Sequence, residues 1–175
     1  MNDPHYILLP ANPIFIAFSL IAAFLLNLLP WGQWVGVPDF VALVLVFWAI
    51  HEPRKIGISI AFMMGLLMDV NEATLLGENA LAYTLLSYFS IMIHRRVLWF
   101  PVGTQALHIL PLMLLTQAVQ LLVRLMVSGK FPHWYYFSES FVCALLWPLV
   151  TWLLLAPQRR AINRDDNRPD RKSVV

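Results

Sequence analysis

The sequence has few charged residues and almost no cysteine. Charged residues make up 13% of its 175 residues, roughly half the share found in an ordinary soluble domain. Hydrophobic residues make up 59%, so the composition indicates an integral membrane protein with no separate globular domain. The single cysteine, Cys143, excludes an internal disulfide framework and any multi-cysteine metal site.

Common catalytic motifs are also missing. The sequence contains neither a GxxxxGK[ST] phosphate loop nor an HExxH zinc motif. His51 and His94 fall at the ends of apolar runs, away from the serines within them, and a pairing of His133 with Ser138 would be weak. The main basic segment is a short tail, which is more typical of contact with anionic lipid than of nucleic-acid binding. We therefore expect no enzyme activity, no cofactor, no metal and no nucleic acid.

Six apolar runs predict an all-α integral membrane protein with six transmembrane helices. The spans are expected at about 13–29, 38–50, 56–70, 79–93, 101–127 and 138–155. Together they form one domain, residues 1–157. Residues 158–175 are charged and lack apolar periodicity, which predicts a disordered basic tail. The second run is short, but Pro38 and Asp39 suit the first turn of a helix, where proline needs no N–H and a carboxylate caps free amides.

Basic residues follow every second span. Arg54 and Lys55 follow the second, Arg95 and Arg96 follow the fourth, and the basic tail follows the sixth. The intervening connections offer only Lys130. Because basic residues accumulate in cytoplasmic loops, both termini are predicted to be cytoplasmic.

The third span has small residues at every fourth position. Gly57, Ala61 and Gly65 are followed at the next step by Asp69. Residues four apart share one face of a helix, and small residues there allow a second helix to pack closely in a membrane. Asp69 is therefore predicted to face a neighbouring helix. The alternative is that Asp69 only marks the place where the helix leaves the bilayer.

The predicted topology brings polar residues from four helices to the outer leaflet. They are Asp39, Asp69, Glu78, Asn79 and Arg124. We expect Asp69 to accept hydrogen bonds from the free amides that start the fourth span. Arg124 is expected to neutralise one of the aspartates, and separate solvation of each side chain is the alternative. Gln117 and Gln120 share a face with Arg124, which favours interhelical hydrogen bonds over a lined cavity.

Several motifs resemble those of the MreD family of bacterial rod shape-determining proteins. The most specific are GLLMDV at 65–70 and LGENALAYTLLSY at 76–88, accompanied by PDF at 38–40, PRKIG at 53–57, Trp48 and LWP at 146–148. The resemblance spans about residues 30–157, and the tail has no counterpart. The motifs and the outer cluster supply the candidate structural or interaction residues. They are Pro38, Asp39, Gly57, Gly65, Asp69, Gly77, Asn79, Arg124, Trp147 and Pro148.

The resemblance implies a non-enzymatic inner-membrane scaffold of the cell-wall elongation machinery that maintains rod shape. It implies MreC as the most direct partner, with MreB, RodA and a penicillin-binding transpeptidase in the wider complex. The lipid bilayer is its environment, and the resemblance leaves open whether the protein forms a homodimer. The resemblance also implies a fold like the substrate-binding subunit of energy-coupling-factor transporters, although fold does not imply function.

The residues alone also allow two other functions. A small-molecule-binding membrane subunit of a transporter would use the outer polar cluster and the Gln117–Gln120–Arg124 stripe. An intramembrane enzyme would use Asp69 and Asp39, because two carboxylates can divide acid and base roles. The sequence offers no metal set or nucleophile for the enzyme.

Overall fold

Six α-helices account for most of the structure, a computed structural model that describes residues 6–8, 12–30, 36–73, 75–129 and 134–161. They are α1 (Pro13–Leu28), α2 (Phe40–His51), α3 (Ile58–Asn71), α4 (Glu78–Leu98), α5 (Val102–Ser128) and α6 (Ser138–Leu155). The prediction of six helices is confirmed. Single 3-10 turns, Trp134–Phe137 and Ala156–Gln158, flank α6.

Two helical segments in the described part are long and apolar enough to cross a membrane. They are Val102–Val127 and Ser138–Gln158, while α1, α2 and α3 are shorter apolar helices. The fourth helix runs past its predicted end, because HRR at 94–96 lies within α4 and does not terminate it. Basic residues favour the last turn of a helix, where they face the negative end of its dipole. Pro101 then precedes the start of α5.

The second helix is the centre of the bundle. Every residue from Val41 to Ile50 is buried, and α2 packs on α1, α4 and α6. A helix that is apolar on all sides requires such shielding. The indole of Trp48 donates to the hydroxyl of Ser19 on α1 at 2.8 Å. On its other side, Phe47 lies 6.1 Å from Trp147 of α6, measured between ring centroids.

The third and fourth helices form a closely packed hairpin. Ala61 is fully buried, and a Cβ added to Gly65 would press on the Cα of Ala80 and lie 2.6 Å from its backbone nitrogen. The start of α4 therefore rests directly on Gly65. Gly57 does not belong to this contact, which corrects the prediction. It precedes the first residue of α3, and a Cβ there would meet nothing within 4 Å.

The two ends of the described chain meet in a short antiparallel sheet. Strand β1 (Tyr6–Leu8) pairs with β2 (Arg159–Ala161), with Ile7 opposite Arg160. The described part of the chain therefore continues as a strand to Ala161, and disorder of the tail stays a prediction. Backbone pairing with β1 holds Arg159–Ala161 in place. The apolar periodicity of a sequence does not reveal pairing of this kind. Residues 162–175 lie outside the described part of the chain.

Candidate functional site

Asp69 binds the start of α4. Its side chain is 1% exposed, and one carboxylate oxygen accepts from the backbone N–H of Asn79 at 2.7 Å. The other oxygen accepts from the N–H of Gly77 at 2.7 Å and from that of Ala80 at 3.4 Å. Gly77 has a φ of +105°, a conformation that glycine adopts without the steric cost of a Cβ. The predicted hydrogen bond between Asp69 and the fourth helix is confirmed, and separate solvation of Asp69 is excluded.

Asp39 connects three helices. It caps α2 by accepting from the N–H of Ala42 at 3.0 Å. The same oxygen accepts from the side-chain amide of Asn27 on α1 at 2.9 Å. Its second oxygen accepts from the hydroxyl of Tyr83 on α4 at 2.5 Å. The N–H of Phe40 in turn donates to Asn27 at 3.1 Å, so the start of α2 is fixed against both neighbouring helices.

Arg124 pairs with Glu78, not with an aspartate as the sequence analysis expected. Its guanidinium donates to the carboxylate of Glu78, which is 1% exposed. The guanidinium also lies 5.6 Å from the centroid of the Tyr136 ring, within the range of a cation–π contact. Both aspartates already accept from the neutral amides described above, and Asp39 also accepts from a hydroxyl. Glu78 is the buried carboxylate that faces α5, and a buried charge requires a partner.

Gln117 and Gln120 join α5 to its neighbours. Gln120 donates to the side-chain oxygen of Asn79 at 2.6 Å and accepts from the hydroxyl of Tyr136 at 2.6 Å. Gln117 accepts from the hydroxyl of Ser140 at 2.5 Å. It also donates to the Tyr136 carbonyl at 3.0 Å and to the carboxylate of Glu139 at 3.1 Å. This stripe therefore makes the interhelical hydrogen bonds that its spacing favoured.

A cavity of about 200 Å³ lies within this polar cluster. Its lining residues are Asn27, Val37, Pro38, Asp39, Glu72, Asn79, Gln120, Arg124, Tyr136 and Glu139. The cavity is polar and roomy enough for several water molecules or one small polar molecule. Gln117 and Ser140 border a smaller void of about 10 Å³ beside Glu139. The stripe of α5 therefore contributes to a cavity as well as to helix packing.

Glu72 and Tyr136, which line the cavity outside the predicted spans, have shifted pKa values. The carboxylate of Glu72 is partly desolvated and lies near the charge of Asp39, so its pKa is raised. The side-chain amide of Asn79 donates to it at 3.3 Å. Burial raises the pKa of the Tyr136 hydroxyl, so that hydroxyl stays protonated at neutral pH and can donate to Gln120. In the described residues, no group of three or more His, Cys, Asp or Glu side chains could hold a metal ion.

Three of the candidate residues lie away from this cluster. Gly57 stands at the other end of α3. Trp147 is fully buried in the core, where its indole donates to Gln105 at 3.3 Å, and the neighbouring Pro148 is exposed on α6. Sequence reasoning did not single out Asn27 and Glu139. Each is a polar residue near one end of an otherwise apolar helix, on the same side of the bundle as Asp39. That pattern could have identified both residues from the sequence.

Comparison with known proteins gives one consistent result. A family model described as rod shape-determining protein MreD matches residues 11–156. The rod shape-determining protein MreD of Haemophilus influenzae is 30% identical over 148 residues, which cover 81% of this chain and 88% of that protein. No solved structure matches the chain.

Proposed function

Because the chain belongs to the MreD family of rod shape-determining proteins, we propose that it is a non-enzymatic scaffold of the cell-wall elongation machinery. In this proposal it binds MreC directly and positions wall synthases, with MreB, RodA and a penicillin-binding transpeptidase in the wider complex. The observation that carries the proposal is the family match over residues 11–156, which includes all six helices. The family resemblance of the sequence motifs supplies the named partners.

The proposed location is the bacterial inner membrane, with residues 1–157 as a domain of six spans and both termini cytoplasmic. Many large apolar side chains face outward, as on α1, where Ile14 is 75% exposed, and on α6, where Leu145 is 80% exposed. Such surfaces suit lipid. The short α2 can serve as a span because other helices shield it. The pairing of β1 with β2 supports an even number of crossings, because two paired strands lie on the same side of a membrane.

The scaffold role would depend on the outer polar cluster. Asp69 holds the start of α4, Asp39 ties α2 to α1 and α4, and Arg124 ties α5 to α4. These bonds join five of the six helices, and Gln117 connects the sixth through Ser140. The cluster thus presents a fixed outer surface to a partner. Each of these polar groups is engaged by another helix, which favours a structural role.

A second candidate function is a small-molecule-binding subunit of a transporter, with a fold like that of energy-coupling-factor substrate-binding subunits. The cavity of about 200 Å³ favours it. It requires saturable binding of a small polar ligand to the purified protein. A scaffold requires only that the cluster hold the helices, and water can fill the cavity.

Co-purification from the native membrane in mild detergent tests the proposal, with mass spectrometry of the bound proteins. We expect MreC to be enriched with the wild-type chain. Gly65→Leu is expected to reduce the recovery of MreC, because it separates α3 from α4. Gly103→Leu is the matched control, since a Cβ at Gly103 would meet nothing within 4 Å. Equal recovery from both variants, or no MreC with the wild type, would contradict the proposal.

A further inference from the structure

The corner between α4 and α5 combines unpaired positive charge with an apolar pocket. The pocket has a volume of about 710 Å³ and is lined by His94, Arg95, Arg96, Leu98, Trp99 and Phe100. Trp99 is 89% exposed. Arg95 and Arg96 are also exposed, and neither forms an ion pair with a carboxylate in the part of the chain that the structure describes. The corner is unlike the outer cluster, where the arginine is paired.

Hydrogen bonds and a ring contact hold Trp99 and Phe100, the aromatic residues of this pocket, in place. The backbone N–H groups of Trp99 and Phe100 bond the carbonyls of Arg96 and Val97. The carbonyl of Phe100 accepts from Gln105 at 3.0 Å, and Gln105 is 5% exposed. The Phe100 ring stacks on His108 with 4.8 Å between centroids. The corner is therefore preorganised although its largest side chain is almost fully exposed.

In the proposed topology, the corner lies at the membrane surface. The α3–α4 hairpin puts the end of α4 beside the start of α3, so Arg54 and Lys55 lie at the same end. That end is the predicted cytoplasmic face. An exposed indole suits the depth of lipid headgroups, and unpaired arginines there attract the anionic lipids of the inner leaflet.

We propose that this corner is a binding site for an anionic phospholipid of the cytoplasmic leaflet. The guanidinium groups of Arg95 and Arg96 bind the phosphate of the headgroup, because arginine presents its donors in a planar fork that matches phosphate. The apolar pocket beside Trp99 and Phe100 accepts the upper part of an acyl chain. The charge of the arginines and the apolar lining together select a lipid over a free phosphate, which would leave the pocket empty.

The inference rests on the proposed membrane topology, and photo-crosslinking can test the two separately. The full chain is reconstituted in vesicles that contain a photoactivatable phosphatidylglycerol or the matched phosphatidylcholine analogue. Labelled peptides are then mapped by mass spectrometry. We expect residues 94–100 to be labelled preferentially by phosphatidylglycerol. Arg95→Gln with Arg96→Gln should lower this labelling roughly thirtyfold, given two lost contacts with an anionic surface.

The matched control is Arg54→Gln with Lys55→Gln, which removes two charges at the same end but leaves the pocket intact. It should keep the labelling of residues 94–100. Arg95→Lys with Arg96→Lys keeps both positive charges and should retain part of this labelling. That result would show that the glutamine variant loses labelling through lost charge and not through misfolding. Equal labelling by both lipids, or labelling of other segments but not this corner, would overturn the lipid site while leaving the topology intact. No labelling anywhere would instead contradict the membrane placement on which the site rests.

Discussion

The contact between Gly65 and the start of α4 gives the sharpest prediction. In Gly65→Ala the new Cβ would lie 2.6 Å from the nitrogen of Ala80 and 2.7 Å from the carbonyl oxygen of Asn79. Carbon atoms in good contact lie about 3.5–4.0 Å apart. Both obstacles are backbone atoms, so no rotamer change can relieve them. The helices must move apart by roughly 1 Å, given that contact distance.

The energetic result has two opposing parts. Alanine favours a helix over glycine by about 0.8–1.0 kcal/mol. Overpacking costs about 1–3 kcal/mol, and occasionally more. The shift also lengthens the hydrogen bonds from Gly77, Asn79 and Ala80 to the buried Asp69 carboxylate, which removes further stability. We therefore expect a net loss of about 1–3 kcal/mol, since the lengthened bonds offset the helix-propensity gain.

The single cysteine supplies the assay. Cys143 is 1% exposed, so a thiol-reactive fluorophore reports its exposure as the protein unfolds on heating in detergent. At about 2–4 °C per kcal/mol, Gly65→Ala should lower the midpoint by several degrees. Gly103→Ala is the control, because a Cβ added at that position of α5 would meet nothing within 4 Å. An unchanged or raised midpoint for Gly65→Ala would refute the close packing of α3 on α4.

Three further predictions concern the polar bonds and the tail. Arg124→Gln should lower the free energy of unfolding by about 3–5 kcal/mol, and the midpoint with it, because it leaves Glu78 buried and unpaired; Glu78→Gln in the same chain should restore part of the loss, and no restoration would mean that the pair is not the cause. Tyr83→Phe should cost about 1–3 kcal/mol, because the half-buried carboxylate of Asp39 loses a donor; an equal loss from Tyr83→Phe in an Asp39→Ala background, which has no side-chain acceptor, would show that the two side chains do not interact. Truncation after Ala161 should leave the midpoint unchanged, and a lower midpoint would assign the remaining tail a structural role.

Sequence periodicity was sufficient for contacts between neighbours along the chain. The spacing of Ala61, Gly65 and Asp69 predicted one helix face, and the short turn that follows leaves α4 as the helix on that face. Asp39 likewise caps the helix that it precedes. Both predictions needed only local geometry, because a short turn places the next helix beside the preceding one.

Contacts between helices far apart in sequence could not be predicted in this way. Arg124 was assigned to an aspartate and instead binds Glu78, because the rotation of α5 about its axis depends on packing with α4 and α6. Glu139 was not recognised for the same reason, as its bond to Gln117 requires the start of α6 beside the middle of α5. The prediction that Gly57 belongs to the small-residue face was wrong for a different reason. Its spacing fits the small-residue face, but the helix begins one residue later.

Cell shape is the most direct test of a role as a rod shape-determining scaffold. The measurement is the length-to-width ratio of cells of the encoding bacterium when the chain is depleted and then restored in variant form. Depletion is expected to give round cells, and both the wild type and Gly103→Leu should restore rods. Gly65→Leu should not, because it separates α3 from α4 at the contact with Ala80. Cells that remain rod-shaped after complete depletion would contradict the account.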